Sequence, residues 1–291
     1  MTTPVPFKRI LWWGNVRGLS VAERAGFAAT HGFDALNIAP ADIMGLLDSG
    51  ESLATIRAMA EDQGVRLTYL DPVVDWLPDW RPGPDATDFI PFLSPGAGRE
   101  AEFCAALGID RVLTITPFPP GRYEMADLAD HLARFAEMMA ADGITCVLEA
   151  MPMWGLRTLA EVETLRRATP ASNLRLLFDT WHYMRGGRDD ALIGRIPAGI
   201  IDHVQIADGT LATPEGRSLF DDCLYHRLPP GEGELPLLDI LRVLKAAGHL
   251  GSVGPEVFSA EFDRMPAADI AARLMPAFNG ILDRLHAVAA D

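Results

Sequence analysis

Eight alternations of a short apolar run with a helical stretch, over 291 residues that are 49% hydrophobic, predict an α/β chain folded as one (β/α)8 barrel. Eight units favour a closed barrel over a doubly wound sheet, and two further observations fit a covered parallel sheet with its chemistry at one end. The runs CVLEA, LRLLF and SVGPEVF are apolar on both faces, as the strands of a covered parallel sheet must be. Several of them end on a carboxylate or an amide, which is where a barrel gathers its chemistry: at the C-terminal mouth. A barrel of about 250 residues would use nearly the whole chain, so residues 1–291 read as a single domain.

Taken in order, KRILWW (8–13) reads as the first strand and turns at Gly14-Asn15. Ser20 and Glu23, at capping-box spacing, open a helix over 20–31. ALNIA is the second strand, and one helix is expected around 43–63. VRLTYLD is the third strand and ends on Asp71. The proline-rich stretch 72–98, with Trp76 and Trp80, has no clear period and reads as a lid or interface loop. A helix over 99–107, the strand DRVLTIT, the loop PFPPGRYEM and a helix over 126–142 follow. GITCVLEA is the fifth strand, with Glu149 near its tip. Thr158 and Glu161 cap the next helix, over 158–168.

The sixth strand, LRLLF at 174–178, stops at Asp179, and His182 follows three residues later before Gly186-Gly187, so the charge sits where strand becomes loop. A short helix is expected over 189–194. In DHVQIAD, period-two alternation sends His203 and Gln205 to one face of the seventh strand. A long polar loop spans 209–234, a helix 235–248. SVGPEVF carries Glu256, and an amphipathic helix over 267–290 closes the chain.

The formal net charge of −15 makes nucleic acid a poor partner, because phosphate binders carry a basic footprint. The three cysteines, Cys104, Cys146 and Cys223, show no CxxC spacing, and a reduced cytoplasm is the expected compartment. The N-terminal residues lack the pattern of a secretory leader, and no apolar run approaches the roughly 20 residues of a membrane span.

Any one of Glu149, Asp179, Gln205 and Glu256 could be a solvated residue at a strand end, or an amide bonded to a neighbour. Together at one barrel mouth the three carboxylates would repel each other unless a cation or shifted protonation compensated. Hard oxygen donors of this kind suit a divalent ion, Mn²⁺ or Mg²⁺ before Co²⁺ or Zn²⁺.

LEA with Glu149, FDTWH with Asp179 and His182, HVQIAD, GEGE and PEVFS together resemble the sugar isomerase and epimerase group of xylose isomerase-like TIM barrels. The resemblance implies that Glu149, Asp179, Gln205 and Glu256 hold the metal and that His182 and Arg227 meet the substrate. Gln205 in HVQIAD is similar to hydroxypyruvate isomerases, whereas ketose 3-epimerases usually have His there. WWGNVRG, YLDPVVDW and ITPFPPG in the first half match neither subgroup. His203, on the face of Gln205, is a further substrate-binding candidate, and Trp13, Trp76, Trp154 and Trp181 are candidate pocket walls. The loop VFSAEFDRM lacks the glycines of a phosphate site and adds two acids, which disfavours a phosphorylated substrate.

The expected activity is a metal-dependent isomerisation or epimerisation of a small hydroxy-ketone through a cis-enediolate, with Glu149 and Glu256 as catalytic carboxylates. A dehydratase using the same enolate is the close alternative. A nuclease of the endonuclease IV type and a non-catalytic binding subunit are less favoured. The partner expected is a small-molecule substrate, with no nucleic acid and no membrane; self-association is left open.

Overall fold

The computed structural model describes residues 7–78, 80–81, 93 and 98–287. Eight strands run parallel and close in sequence order: β1 (Lys8–Leu11), β2 (Ala35–Ile38), β3 (Arg66–Val73), β4 (Arg111–Thr114), β5 (Thr145–Glu149), β6 (Leu174–Asp179), β7 (Ile201–Ile206) and β8 (Ser252–Pro255). Closure is made by β1 on β8, through the register Lys8 with Ser252 and Arg9 with Val253. The (β/α)8 barrel is therefore the fold, and the apolar reading of the strands accounts for it: each is covered by helices outside and by packed side chains within.

The outer ring begins with α1 (Val21–Thr30), where Ser20 and Glu23 form the expected reciprocal capping box. The single helix expected around 43–63 is two, α2 (Pro40–Asp48) and α3 (Leu53–Glu61). Gly50, at φ 97°, turns the chain between them, and the Ser52 side chain accepts from Thr55 N to start α3. Both halves bury an apolar stripe, so periodicity ran through the break. Next come α4 (Glu100–Leu107), α5 (Met125–Ala140) and α6 (Leu159–Ala168), the last capped by Thr158 and Glu161 as expected.

Asp179 leads into no loop: α7 (Thr180–Gly186) starts at once, with the Asp179 side chain as its cap. The helix α8 (Asp190–Ile193) follows, and α9 (Leu219–Tyr225) lies inside the stretch read as polar loop, opened by the Ser218 cap. The ring ends with α10 (Leu237–Ala246) and α11 (Ala267–Ala287). The remainder of the helix expected to reach residue 290 lies outside the described residues, as does most of the lid reading for 72–98. Trp76 and Trp80 are described, and both are buried. No described helix is long and apolar enough to cross a membrane.

Inside the barrel, beneath the mouth, Trp12 Nε1 donates to His203 Nε2 at 2.8 Å, and His203 Nδ1 meets Ser252 Oγ at 2.7 Å. An indole N–H can only donate, so Nε2 must accept and the single imidazole proton sits on Nδ1. Tyr69 packs against both rings, with centroids 5.0 Å from Trp12 and 6.0 Å from His203. This aromatic layer is the floor on which the site stands. The first βα loop is fastened to the last strand by Asn15, which donates to Trp12 O and Pro255 O and accepts from Val257 N. Gly254 leaves room for that seam, since a Cβ there would lie 2.1 Å from Ile10 O.

Candidate active site

Above the floor, at the C-terminal ends of the strands, lies a small cavity whose lining includes Trp13, Asp71, Glu149, His182, Arg227 and Glu256. A larger hollow at the opposite end borders Lys8, Asp34, Arg66, Arg111 and Asp202. The smaller one holds the converging acids, at the end where barrels of this kind carry chemistry.

The register of the strands builds the cluster. Asp179 lies beside Gln205 in the β6–β7 ladder, and Glu149 ends β5 one strand earlier. β8 stops at Pro255, so Glu256 stands one residue past the strand, where its N–H still bonds Ile206 O. Glu149, Asp179, Gln205 and Glu256 are all at most 5% exposed. Each of Glu149, Asp179 and His182 offers a ligand atom within 4.8 Å of those of the other two. Gln205 Nε2 donates to Glu256 Oε1 at 2.8 Å, which places the amide and the fourth acid side by side.

Arg227 ties the group together. Its Nη1 donates to Asp179 Oδ2 at 2.6 Å and reaches Glu256 Oε2 at 3.3 Å, and its guanidinium lies 5.0 Å from the Trp181 ring and 5.2 Å from Phe258. The loop after β7 delivers it by short antiparallel bridges, Asp208 with Leu228 and His226 with Ser259. Asp208 secures that loop by accepting from Gly209 N, Gly231 N and Leu235 N. Arg227 Nη2 also donates to His182 Nε2 at 2.8 Å and to Cys223 Sγ at 3.0 Å. With Nε2 accepting, the proton of His182 belongs on Nδ1, 2.9 Å from Glu149 Oε1 but out of line for a hydrogen bond.

The charges respond to this crowding. Burial alone would raise the Asp179 carboxyl, but the Arg227 guanidinium, together with the hydrogen bonds from Arg227 and from the His182 backbone N–H, holds the group below the usual carboxylate range. Glu256 moves the other way: burial raises it, Arg227 only partly opposes, and Asp179, Glu149 and Asp71 push it further up. Asp71 is raised to about 7, by burial first and then by Glu149, against the hydrogen bonds from Asn37 and Trp13. A site with this many buried acids is short of positive charge.

The donor set fits a divalent cation on the evidence of its unpaired acceptors. Glu149 Oε1 and Gln205 Oε1 are both buried without a hydrogen-bond donor among the described residues. Such oxygens are costly unless something positive faces them. Glu149, Asp179, Gln205 and Glu256 would hold it, with His182 close enough to compete for a place.

Other expected residues sit elsewhere. His203 was expected at the substrate, but it lies in the floor with both ring nitrogens engaged and does not line the cavity. The period-two argument put it on the right face and missed its depth, one residue pair below Gln205. Of the four tryptophans, Trp13 lines the cavity; Trp181 is buried behind Arg227, Trp76 donates to Ile115 O, and Trp154 packs near Phe220. Asp71, Asn37 and Cys223 belong to the site and were not singled out. Asp71 at the tip of an apolar run had the signature that marked Glu149; nothing local marked Cys223, which reaches the site from α9.

Known proteins agree with this architecture. A 3-dehydroshikimate dehydratase of Pseudomonas aeruginosa is 27% identical over 250 residues, which is 85% of this chain and 37% of that protein. The chain thus spans well under half of that relative. A Streptomyces coelicolor protein provisionally named hydroxypyruvate isomerase is 29% identical over 287 residues, covering 88% of this chain and 94% of its own. A solved structure described as the IOLI protein with a bound zinc atom superposes with a TM-score of 0.77 at 17% identity, over 96% of this chain and 99% of that one. The family model for xylose isomerase-like TIM barrels matches residues 25–278, and with the closed eight-stranded barrel this establishes that the chain belongs to that family.

Proposed function

We propose that this protein is a divalent-metal-dependent isomerase or epimerase of a small, non-phosphorylated hydroxy-ketone, a keto-sugar or keto-acid. The observation that carries the reading is the cluster of Glu149, Asp179, Gln205 and Glu256 at the strand ends, where Glu149 and Glu256 line a small cavity and, among the described residues, Glu149 Oε1 and Gln205 Oε1 are buried without a hydrogen bond. A bound Mn²⁺ or Mg²⁺ would act as a Lewis acid on substrate oxygens and acidify the neighbouring C–H bond. The chain's own groups do the rest. One of Glu149 and Glu256 removes the carbon-bound proton; in an isomerisation a proton is returned to the adjacent carbon, and in an epimerisation the other carboxylate or a water delivers one to the opposite face. Arg227 holds Asp179 and Glu256 in place and offers positive charge to the developing oxyanion, beside His182. Phe258 and Trp13 wall the cavity and keep it apolar between the polar groups.

A dehydratase is the second reading, supported by the similarity to 3-dehydroshikimate dehydratase over 85% of this chain. Removal of the same proton next to a β-hydroxyl would expel water. The formal charge of −15 supports small molecules and not nucleic acid as the substrate class.

The test is loss of the α-proton signal of hydroxy-ketones in D₂O with added Mn²⁺, starting with hydroxypyruvate and 3-dehydroshikimate. Enzyme-dependent exchange is expected, followed by isomer or dehydrated product. Absence of exchange across the panel, in protein shown to contain metal, would overturn the reading.

A further inference from the structure

Across the cavity from Arg227 stands a carboxyl that neither the metal ring nor the assigned bases use. Asp71, in β3, is 7% exposed and lines the cavity. It is built into place. Asn37 fixes it by accepting from Trp13 N through Oδ1 at 2.8 Å and donating to Asp71 Oδ2 through Nδ2 at 2.8 Å. Trp13 Nε1 reaches the same Oδ2 at 3.3 Å. Both donors fall on one oxygen, and Oδ1 has no hydrogen-bond partner among the described residues. A carboxyl held by one oxygen, with the other left to a substrate cavity, is the arrangement a proton carrier needs.

We propose that Asp71 carries the oxygen-bound proton of the reaction, while a glutamate of the opposite wall carries the carbon-bound one. This rests on the enolising reading above and divides its labour. In an isomerisation, the glutamate takes the C–H proton, the electron pair forms the C=C bond, and the carbonyl π pair moves to its oxygen. Completion requires three transfers. The former carbonyl oxygen gains a proton, the neighbouring hydroxyl loses one to become C=O, and the glutamate returns its proton to the former carbonyl carbon. Asp71 gives its proton to the first oxygen and takes one from the second, ending as it began, so atoms and charge balance.

The surroundings favour this role. Asp71 faces Glu149 and Glu256, and among the described residues its hydrogen-bond donors are the neutral Asn37 and Trp13, with no cation. Burial favours the neutral acid, and with both donors on Oδ2 the other oxygen is left to give or take a proton. By contrast, Asp179 is committed to Arg227 and to two backbone N–H groups of α7.

The experiment is Asp71→Asn, whose side-chain oxygen can still accept from Asn37 and Trp13 but cannot exchange a proton as an acid. With Mn²⁺-loaded protein and hydroxypyruvate or 3-dehydroshikimate in D₂O, two rates are measured: α-proton exchange and product formation. Exchange within about threefold of wild type, with product formation down about 10²-fold or more, is expected for a lost acid-base group. The retained exchange shows in the same sample that the variant is folded and loaded. Equal retention of both rates overturns the proposal. Loss of both in parallel, with metal content and thermal unfolding unchanged, also overturns it and makes Asp71 part of the enolising step. If wild type itself exchanges no α-proton, the enolising reading fails and takes this proposal with it.

Discussion

Arg227 donates to Asp179 Oδ2 at 2.6 Å, so the acid at the tip of β6 is neutralised by an arginine from the loop after β7, with both side chains at most 1% exposed. Removing one member of a buried pair strands the other. Arg227→Ala is therefore expected to destabilise the metal-free protein by about 3–5 kcal/mol. A cation among the acids would recover part of that loss. Thermal unfolding with and without Mn²⁺ should show a larger metal-induced rise in Tm for the variant than for wild type; an equal rise would mean that Arg227 and the metal answer to different charges.

The pair Gln205 and Glu256, joined at 2.8 Å, separates the work of a ligand from that of a base. Glu256→Gln keeps an oxygen donor but loses charge and basicity, so metal affinity should fall modestly and turnover by about 10²-fold or more. Gln205→Glu adds charge, tightening the metal while weakening its Lewis acidity. Metal titration of the two variants is expected to move in opposite directions while both slow the reaction. A Glu256→Gln protein that exchanges the α-proton as fast as wild type would leave Glu149 as the base.

His203 makes a prediction about acid. Burial lowers its pKa to about 3, against Asp202, which raises it, so the folded protein keeps the ring neutral while the unfolded chain would protonate it near 6.5. Between those values the unfolded state binds more protons, and this side chain makes stability fall as pH drops from about 6.5 toward 3. Urea unfolding at pH 4.5 and 7.0 should show that His203→Gln, whatever its starting stability, loses about 2 kcal/mol less than wild type on acidification. Equal losses would mean that the ring gains its proton while the barrel is still folded.

Much of the barrel was legible because parallel strands advertise themselves: they are apolar on both faces, and their polar residues are forced to the tips. That logic located Glu149, Asp179, Gln205 and Glu256, which the fold does bring together. It placed Ser20 and Thr158 correctly as caps, since a cap is a local bargain between a side chain and the next turn. It failed where the decision was not local. The break between α2 and α3 is made by Gly50 and Ser52 inside a continuous apolar period. His203 and Gln205 share a face, but only the stagger of strands in a closed barrel says that one is floor and the other mouth. Asp71 had the right signature, yet nothing in its own strand shows that Asn37 and Trp13 wait beside it.

The seam at Asn15 has a consequence for durability. Its side chain grips Pro255 O and Val257 N, the residues on either side of Glu256, while also holding Trp12 O. The clasp that turns a curved sheet into a ring therefore also sets the height of one acid. Fraying where the first strand meets the last would displace Glu256 while Glu149, Asp179 and Gln205 stayed in register on β5, β6 and β7. Amide exchange at Val257 should thus report two things at once: how often the hoop opens, and how often the site is missing its fourth oxygen donor.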